Sequence, residues 1–133
     1  MTPTFLDPLL AAGAPPMVLG VSGANPTPLA VTIEAAFDSK SRTKGLLGRA
    51  ALAPSTAIIL APCQAIHTFK MQFSIDVIFV GRDGRVLKIR HNLGPSRIAM
   101  AARAFAVIEM TGGEAVEHGL RTGDLLVVRP REI

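Results

Sequence analysis

The 133-residue chain has no tryptophan, no tyrosine and a single cysteine, Cys63. One cysteine cannot form an internal disulfide, so the fold makes no demand for an oxidising compartment. No segment reaches the roughly 18 uncharged apolar residues that a membrane helix needs. The apolar start of the chain lacks basic residues and is interrupted by Asp7, Pro8 and Pro15-Pro16, which argues against a signal peptide. We therefore expect a soluble, cytoplasmic protein without a membrane span.

Charged residues are also scarce, at 18% of the chain, and basic residues are in excess, giving a net charge of +4. Every Lys and Arg lies at or after Lys40. A basic protein is a candidate for binding polyanions, and such a module is one alternative for this chain. However, the basic residues form no consecutive run, and the missing Trp and Tyr remove the best platforms for stacking bases. We therefore do not expect a nucleic-acid partner.

The composition changes along the chain, which predicts its organisation. Residues 1–28 are rich in Pro, Gly and Ala and carry almost no charge. They are predicted to form an N-terminal arm, dispensable for folding, in which Met17-Val-Leu19 could lie along a sheet edge. Residues 29–133 show strand and helix patterns throughout and are predicted to form a single domain.

Alternating or short continuous runs of apolar residues predict strands over 29–36, 57–60, 75–80, 85–90, 105–110 and 125–128. The tetrad Gly81-Arg-Asp-Gly84 between two of these runs predicts a hairpin. Short helices are predicted from Asp38 or Ser39 to about Arg49 and within 111–119, and the alanines of 99–104 favour a helical turn. These elements indicate an α+β fold: a compact, mostly antiparallel β-sheet or small barrel with two short helices.

Several short motifs follow one another in a fixed order: Gly45-Leu-Leu-Gly-Arg49, Ile66-His-Thr-Phe-x-Met71, Ile75-Asp-Val-Ile-Phe-Val80, Val107-Ile-Glu-Met110 and Gly123-Asp124. Over roughly residues 29–128, this order resembles the family called domain of unknown function 192. The segment Cys63-x-x-Ile-His-Thr-Phe69 is similar to a sub-branch of that family, whose commoner members carry Trp-Met-Lys-Asn-Thr instead. The resemblance implies a compact β-rich fold and no particular reaction.

Cys63, His67 and Asp76 lie within fourteen residues and invite comparison with a nucleophile, a base and an orienting acid. On a regular strand, however, residues four apart are separated by about 13 Å, too far for a thiol–imidazole hydrogen bond. No two of the Cys and His residues have the spacing of a metal site, so we expect no metal and no cofactor. A small hydrolase or transferase that uses His67 with Cys63 or Asp76 is therefore an alternative hypothesis.

The favoured hypothesis is a non-enzymatic binding or accessory module with a shallow pocket near Ile66-His-Thr-Phe69, because such pockets place a few polar groups on an apolar wall. The predicted ligand-binding residues are His67, Thr68, Phe69, Met71, Arg42 and Arg49. The partner would be a small ligand or another protein. A carboxylate in the middle of an apolar strand needs donors. We therefore expect Arg42 or Arg49 to pair with Asp76, and a similar clamp for Glu109.

Overall fold

The computed structural model describes residues 2–23, 27–44, 46 and 48–131, with the side chains of Thr43 and Lys44 left out. In this part of the chain three short helices and nine strands are present. Helices α1 to α3 span Asp7–Leu10, Ser39–Lys44 and Glu114–Glu117. Strands β1 to β9 span Met17–Val21, Thr32–Ala36, Thr56–Leu60, Ala65–His67, Ile75–Val80, Val86–Leu93, Ile98–Met100, Ala106–Thr111 and Leu126–Pro130.

A central five-stranded sheet has the strand order β2-β3-β8-β5-β6. Strands β2 and β3 are parallel, with α2 between them in the chain, and the other pairs are antiparallel. The remaining strands form two separate pairs, β1 with β9 and β4 with β7. The predicted mostly antiparallel α+β fold is confirmed. Within the described residues the strands form these three sheets and not a closed barrel, and α1 adds a third short helix.

The β5–β6 hairpin forms as its sequence predicts. All six residues of β5 are buried because helices, loops and strands cover both faces of the central sheet, which explains its unbroken apolar character. Gly84 in the turn has φ of 95°, a value that L side chains rarely adopt. A side chain at Gly84 would also collide with the carbonyl oxygen of Leu126, so the turn packs directly against β9.

The central sheet separates two apolar cores. On one face, Ile59, Ile78 and Ile108 pack with Leu6, Leu19 and Leu126 from the chain ends. On the other face, Ile58, Val77 and Val107 pack with Leu46, Leu52, Met71 and Ala99. Neighbouring residues of each strand alternate between the two cores, as the pleat of a strand requires. The second core carries the short β4–β7 pair on its outside.

The N-terminal segment contributes to the first core. Strand β1 pairs antiparallel with β9 in a two-stranded sheet, so Met17-Val-Leu19 lies along a sheet edge as predicted. Leu19 is fully buried, and Leu6 is buried although it lies eleven positions before the start of β1. The division of the chain into an arm and a domain at residue 28 stays a prediction.

Two local predictions differ from the structure. Helix α2 ends at Lys44, earlier than the predicted Arg49, and the next position, Gly45, lies outside the described residues. The alanine-rich segment 99–104 does not form a helical turn. It begins instead in β7, which pairs with β4 through Ala65 with Met100 and His67 with Ile98. Pairing with β4 therefore overrides the helix propensity of alanine. No helix of the described residues is long and apolar enough to cross a membrane.

Candidate functional site

His67 lies at the end of β4 with its ring exposed. The imidazole stacks on the ring of Phe69, with 4.9 Å between the ring centroids and an angle of 25° between the planes. Its Nδ1 accepts a hydrogen bond of 3.3 Å from the backbone N–H of Phe69. These contacts hold the two solvent-exposed rings in a fixed, stacked arrangement. In the described part of the chain, neither Cys63 nor Asp76 is a hydrogen-bond partner of the imidazole.

Cys63 is a half-buried thiol beside the second core. Its Sγ donates a hydrogen bond of 3.2 Å to the carbonyl oxygen of Ala65. Burial raises the pKa of the Cys63 thiol and outweighs the opposing effects of the backbone hydrogen bond at Ala65 and of Arg42, while the nearby carboxylate of Glu109 acts in the same direction as burial. A raised pKa reduces the thiolate fraction at neutral pH, and the thiolate is the reactive form. The surroundings of Cys63 therefore oppose nucleophilic chemistry.

Asp76 is fully buried and accepts its hydrogen bonds from backbone N–H groups. The donors are Asn92 at 2.9 Å, Gly113 at 3.1 and 3.2 Å, and Ala115 at 2.8 Å. Gly113 is the N-cap of α3 and has no side chain to cap the helix. The Asp76 carboxylate, on strand β5, replaces that missing cap by accepting hydrogen bonds from the start of the helix. A carboxylate at this position is also stabilised by the helix dipole. Asp76 thus anchors the start of α3 to strand β5.

The predicted clamp between Asp76 and an arginine is wrong, because both arginines have other partners. The Arg42 guanidinium donates to the carbonyl oxygens of Phe37 at 2.8 Å and Ala61 at 3.2 Å. Arg49 forms a two-pronged ion pair with Glu34, with nitrogen–oxygen distances of 2.8 and 3.1 Å. The hydrogen bond to Arg49 lowers the pKa of Glu34, and the same bond raises the pKa of Arg49. Neither arginine contacts the carboxylate on β5.

Glu109 is a buried carboxyl group on the face of β8 that points into the second core. Its neighbours across the sheet are Ile58 and Val77. Burial raises the pKa of Glu109 to about 7. Within the described residues no cation forms an ion pair with it, so the predicted clamp at this position is not observed. The sequence shows a glutamate in an apolar strand but not the absence of a counter-charge.

Thr68 and Met71 are buried beneath the candidate site, although both were predicted to bind a ligand. The hydroxyl of Thr68 donates to the carbonyl oxygen of Gly94 at 2.6 Å and accepts from the backbone N–H of Arg97 at 2.9 Å. These bonds join the end of β4 to the loop before β7. Thr68 therefore holds the neighbouring segments in place, and the exposed part of the site consists of other residues.

The exposed part is the outer face of the β4–β7 pair, which we call the ribbon surface and define by Ala65, His67, Phe69, Ile98 and Met100. Cross-strand partners share a face, so Ile98 lies beside His67, and Met100 lies beside Ala65. Phe69 is 44% exposed, Ile98 58% and Met100 61%. The inner face carries Ile66 and Ala99, which pack on the second core. Sequence reasoning found His67 and Phe69 and missed Ile98 and Met100.

Positive charge surrounds the ribbon surface. Lys70 follows Phe69, Arg97 precedes Ile98, and the Lys88 ammonium donates to the carbonyl oxygen of Met100 at 2.8 Å. Between Cys63 and Ala104 the sequence contains seven Lys and Arg but only two acidic residues, Asp76 and Asp83. Because Asp76 is buried against backbone donors, it does not neutralise this surface. The described residues contain no group of three His, Cys, Asp or Glu side chains that could hold a metal ion.

Two solved structures share the fold of the chain. A protein of unknown function from Novosphingobium aromaticivorans is 28% identical, with a TM-score of 0.72, over 86% of this chain and 87% of that one. A protein from Sinorhizobium meliloti, described as a "putative transcription regulator", is 23% identical, also with a TM-score of 0.72, over 83% and 89% of the two chains. The second likeness concerns the fold alone.

No curated protein matches the chain. The model of one family, domain of unknown function 192, described as an uncharacterized ACR, matches residues 21–128. That range includes the central sheet, the ribbon surface and the buried carboxylates of Asp76 and Glu109. The chain therefore belongs to the domain of unknown function 192 family.

Proposed function

We propose that this protein is a non-enzymatic binding module whose contact surface is the ribbon surface. Its partner is an extended polypeptide segment that combines acidic and large apolar side chains. This proposal keeps the predicted binding role near Ile66-His-Thr-Phe69, but it replaces the shallow pocket with an exposed face. From residues 63–69 alone we also assign the chain to the sub-branch with Cys-x-x-Ile-His-Thr-Phe, and we propose the cytoplasm as its compartment.

The observation that carries the proposal is the exposure of Phe69, Ile98 and Met100 on one short ribbon. Isolated exposed apolar residues are common, but a contiguous group marks a contact surface. Aromatic residues and Met are enriched at protein interfaces, where they fill pockets of the partner. The stacked His67 and Phe69 rings add a flat, pre-formed surface, so little side-chain freedom is lost when a partner binds.

The charge around the ribbon surface supports an acidic partner. Lys70, Lys88 and Arg97 border the apolar residues, and exposed carboxylates are scarce in this part of the sequence. Complementary charges increase the rate of association and reject partners of the wrong sign. An acidic segment with apolar side chains satisfies both the apolar centre and the basic border. A pure polyanion, the second alternative, would leave Ile98 and Met100 without a role.

The enzymatic alternative has less support from the geometry. Catalysis by His67 requires Cys63 or Asp76 within hydrogen-bond reach of the imidazole. Asp76 accepts its hydrogen bonds from backbone N–H groups, and the Cys63 thiol donates to the carbonyl oxygen of Ala65. We expect slow alkylation of the native thiol by iodoacetamide at neutral pH, with the same rate in His67→Ala. Fast labelling that depends on His67 would instead favour the hydrolase or transferase.

The binding role is tested by selecting peptides from a random library displayed on phage against the full chain. We expect the selected peptides to combine Asp or Glu with Phe, Leu or Trp. Fluorescence anisotropy then compares the wild type with the double variant Ile98→Glu/Met100→Glu, in which Kd should rise at least about tenfold because two apolar contacts are lost and acidic groups repel the peptide. Added salt should weaken wild-type binding by screening the basic border.

The matched control is Val116→Glu, which replaces an exposed apolar residue on α3, outside the ribbon surface. Its Kd should equal that of the wild type. Equal binding by the double variant, or selected peptides without acidic residues, would overturn the proposal. A different outcome would favour the polyanion module instead. In that case the chain would bind duplex DNA, and substitution of Lys88 and Arg97 would abolish this binding whereas substitution of Ile98 and Met100 would not.

A further inference from the structure

A concave site, separate from the ribbon surface, lies at the end of the central sheet. It is a cleft of about 530 Å³ between the N-terminal segment and the residues where β2 and β3 end and β8 begins. Its walls include Leu6, Phe37, Ala61, Pro62 and Phe105. Cavities that bind small molecules span about 300–1,000 Å³ and have mostly apolar walls with a few polar groups. The cleft has both properties.

Arg82 is the cationic group of the cleft. Its guanidinium carbon lies over the Phe105 ring, 4.4 Å from the centroid, so the cation sits on an aromatic face. The carbonyl oxygen of Arg82 accepts a hydrogen bond of 2.9 Å from Phe5, which joins its turn to the N-terminal segment. A cation–π contact of this kind does not use the N–H groups as hydrogen-bond donors to an oxygen, and the guanidinium carries five such N–H groups.

The acidic group of the cleft, Asp7, does not neutralise Arg82 by an ion pair. The Asp7 carboxylate accepts hydrogen bonds from the backbone N–H of Thr4 at 3.2 Å and from its hydroxyl at 3.1 Å. Among the described residues, Arg49 with Glu34 is the one ion pair, so the Arg82 guanidinium has no carboxylate partner. Among the described residues that line it, this partly enclosed apolar cleft thus contains one cation, and that cation has no carboxylate partner.

We propose that this cleft binds a small amphipathic organic anion. The apolar body of the ligand lies between Leu6, Phe37 and Phe105, and its carboxylate accepts hydrogen bonds from Arg82. Arginine suits this role because its fork of N–H groups matches a carboxylate in a two-pronged arrangement. The cleft shares no residue with the ribbon surface. The two proposals are therefore independent, and either can fail without the other.

Isothermal titration calorimetry of the full chain with decanoate, below its micelle concentration, tests the site. We expect one binding event for the wild type and an increase in Kd of at least about tenfold in Arg82→Gln, since bonds between charged groups are the stronger class. Decanol, which lacks the negative charge, should bind equally to both proteins. Asp7→Asn should lower the Kd of decanoate severalfold, because it removes a like charge from the cleft.

Two further variants separate this site from non-specific binding. Arg103→Gln removes an exposed arginine outside the cleft and should leave the Kd of decanoate unchanged. Ala11→Trp places a large side chain at the wall of the cleft and should abolish binding of both decanoate and decanol. Absence of decanoate binding to the wild type, or equal binding by Arg82→Gln and Ala11→Trp at unchanged melting temperatures, would overturn the proposal.

Discussion

Asp76 shows how one carboxylate can organise a loop and a helix. Its oxygens accept hydrogen bonds from backbone N–H groups of β6, of the N-cap of α3 and of the first turn of that helix. The sequence indicates that a buried Asp needs donors, but it cannot show that they are backbone groups. Backbone N–H groups belong to every residue except proline, so the partner choice follows from tertiary structure alone.

The variant Asp76→Asn is expected to lose about 3 kcal/mol of unfolding free energy. An amide has one acceptor oxygen in place of two, and its NH₂ group would face backbone donors, so buried N–H groups would be left unpaired. Urea denaturation followed by circular dichroism measures the effect. The exposed Glu117→Gln on the same helix is the control and should change stability by less than about 0.5 kcal/mol. Equal losses in the two variants would contradict the capping role.

Glu109 makes a second prediction, which concerns pH. Its pKa is raised to about 7 by burial, whereas an unfolded glutamate titrates near 4.5. Between these two values the folded state binds more protons than the unfolded state. The contribution of Glu109 to stability is therefore fully present below pH 4.5 and is lost as pH rises through about 7. The total change from this group is about 3 kcal/mol.

Replacement of this carboxyl group by an amide, Glu109→Gln, should remove that pH dependence. The free energy of unfolding of the variant minus that of the wild type should therefore increase by about 3 kcal/mol as pH rises from acidic to mildly alkaline. Urea midpoints measured across this range for both proteins give the difference directly, since the remaining titrating groups are shared. Parallel stability curves for the two proteins would show that Glu109 titrates normally.

At the level of elements, the sequence predicts the long strands well and the short ones poorly. In the β5–β6 hairpin all six residues of β5 are buried and a glycine turn follows, so its pattern is long enough to be recognised. Strands β4 and β7 have three residues each, too few for alternation to exceed chance. Ile98-Ala-Met100 becomes a strand only because β4 lies beside it. The ribbon surface could therefore be only half predicted.

The N-terminal segment is rich in prolines and glycines, a composition that predicts a dispensable arm. In the structure β1 pairs with β9, and Leu19 is buried in the first core. Leu6, in the four-residue stretch between Pro3 and Pro8, is buried as well. Periodicity over long windows does not detect such contacts, because each one involves a single side chain.

We therefore expect removal of residues 2–28 to abolish cooperative unfolding, the reverse of the expectation from sequence. A milder test is Leu19→Ala, which should cost about 3 kcal/mol because Leu19 is fully buried. Leu10→Ala is the matched control in the same segment, and its exposed side chain should make the cost less than about 0.5 kcal/mol. Urea denaturation distinguishes these values. A shortened chain that melts like the full one would restore the predicted arm.

For the whole molecule, the arrangement of charge and apolar surface matters more than either total. The net charge of +4 is modest, but Lys70, Lys88 and Arg97 border the exposed apolar ribbon surface. Like charges keep two copies of the chain apart, while Phe69, Ile98 and Met100 favour their contact. The sequence reveals the excess of basic residues, but only the β4–β7 pairing places them beside these apolar side chains.

Salt should shift this balance. The screening length falls from about 10 Å at 0.1 M salt to about 3 Å at 1 M, so the repulsion between basic borders weakens while apolar contact does not. We expect the weight-average mass in sedimentation equilibrium to be that of a monomer at low salt and to rise at 1 M sodium chloride. In Ile98→Gln/Met100→Gln, which leaves the charge unchanged, the mass should stay monomeric at both. A constant wild-type mass, or an equal rise in the variant, would show that the ribbon surface does not drive association.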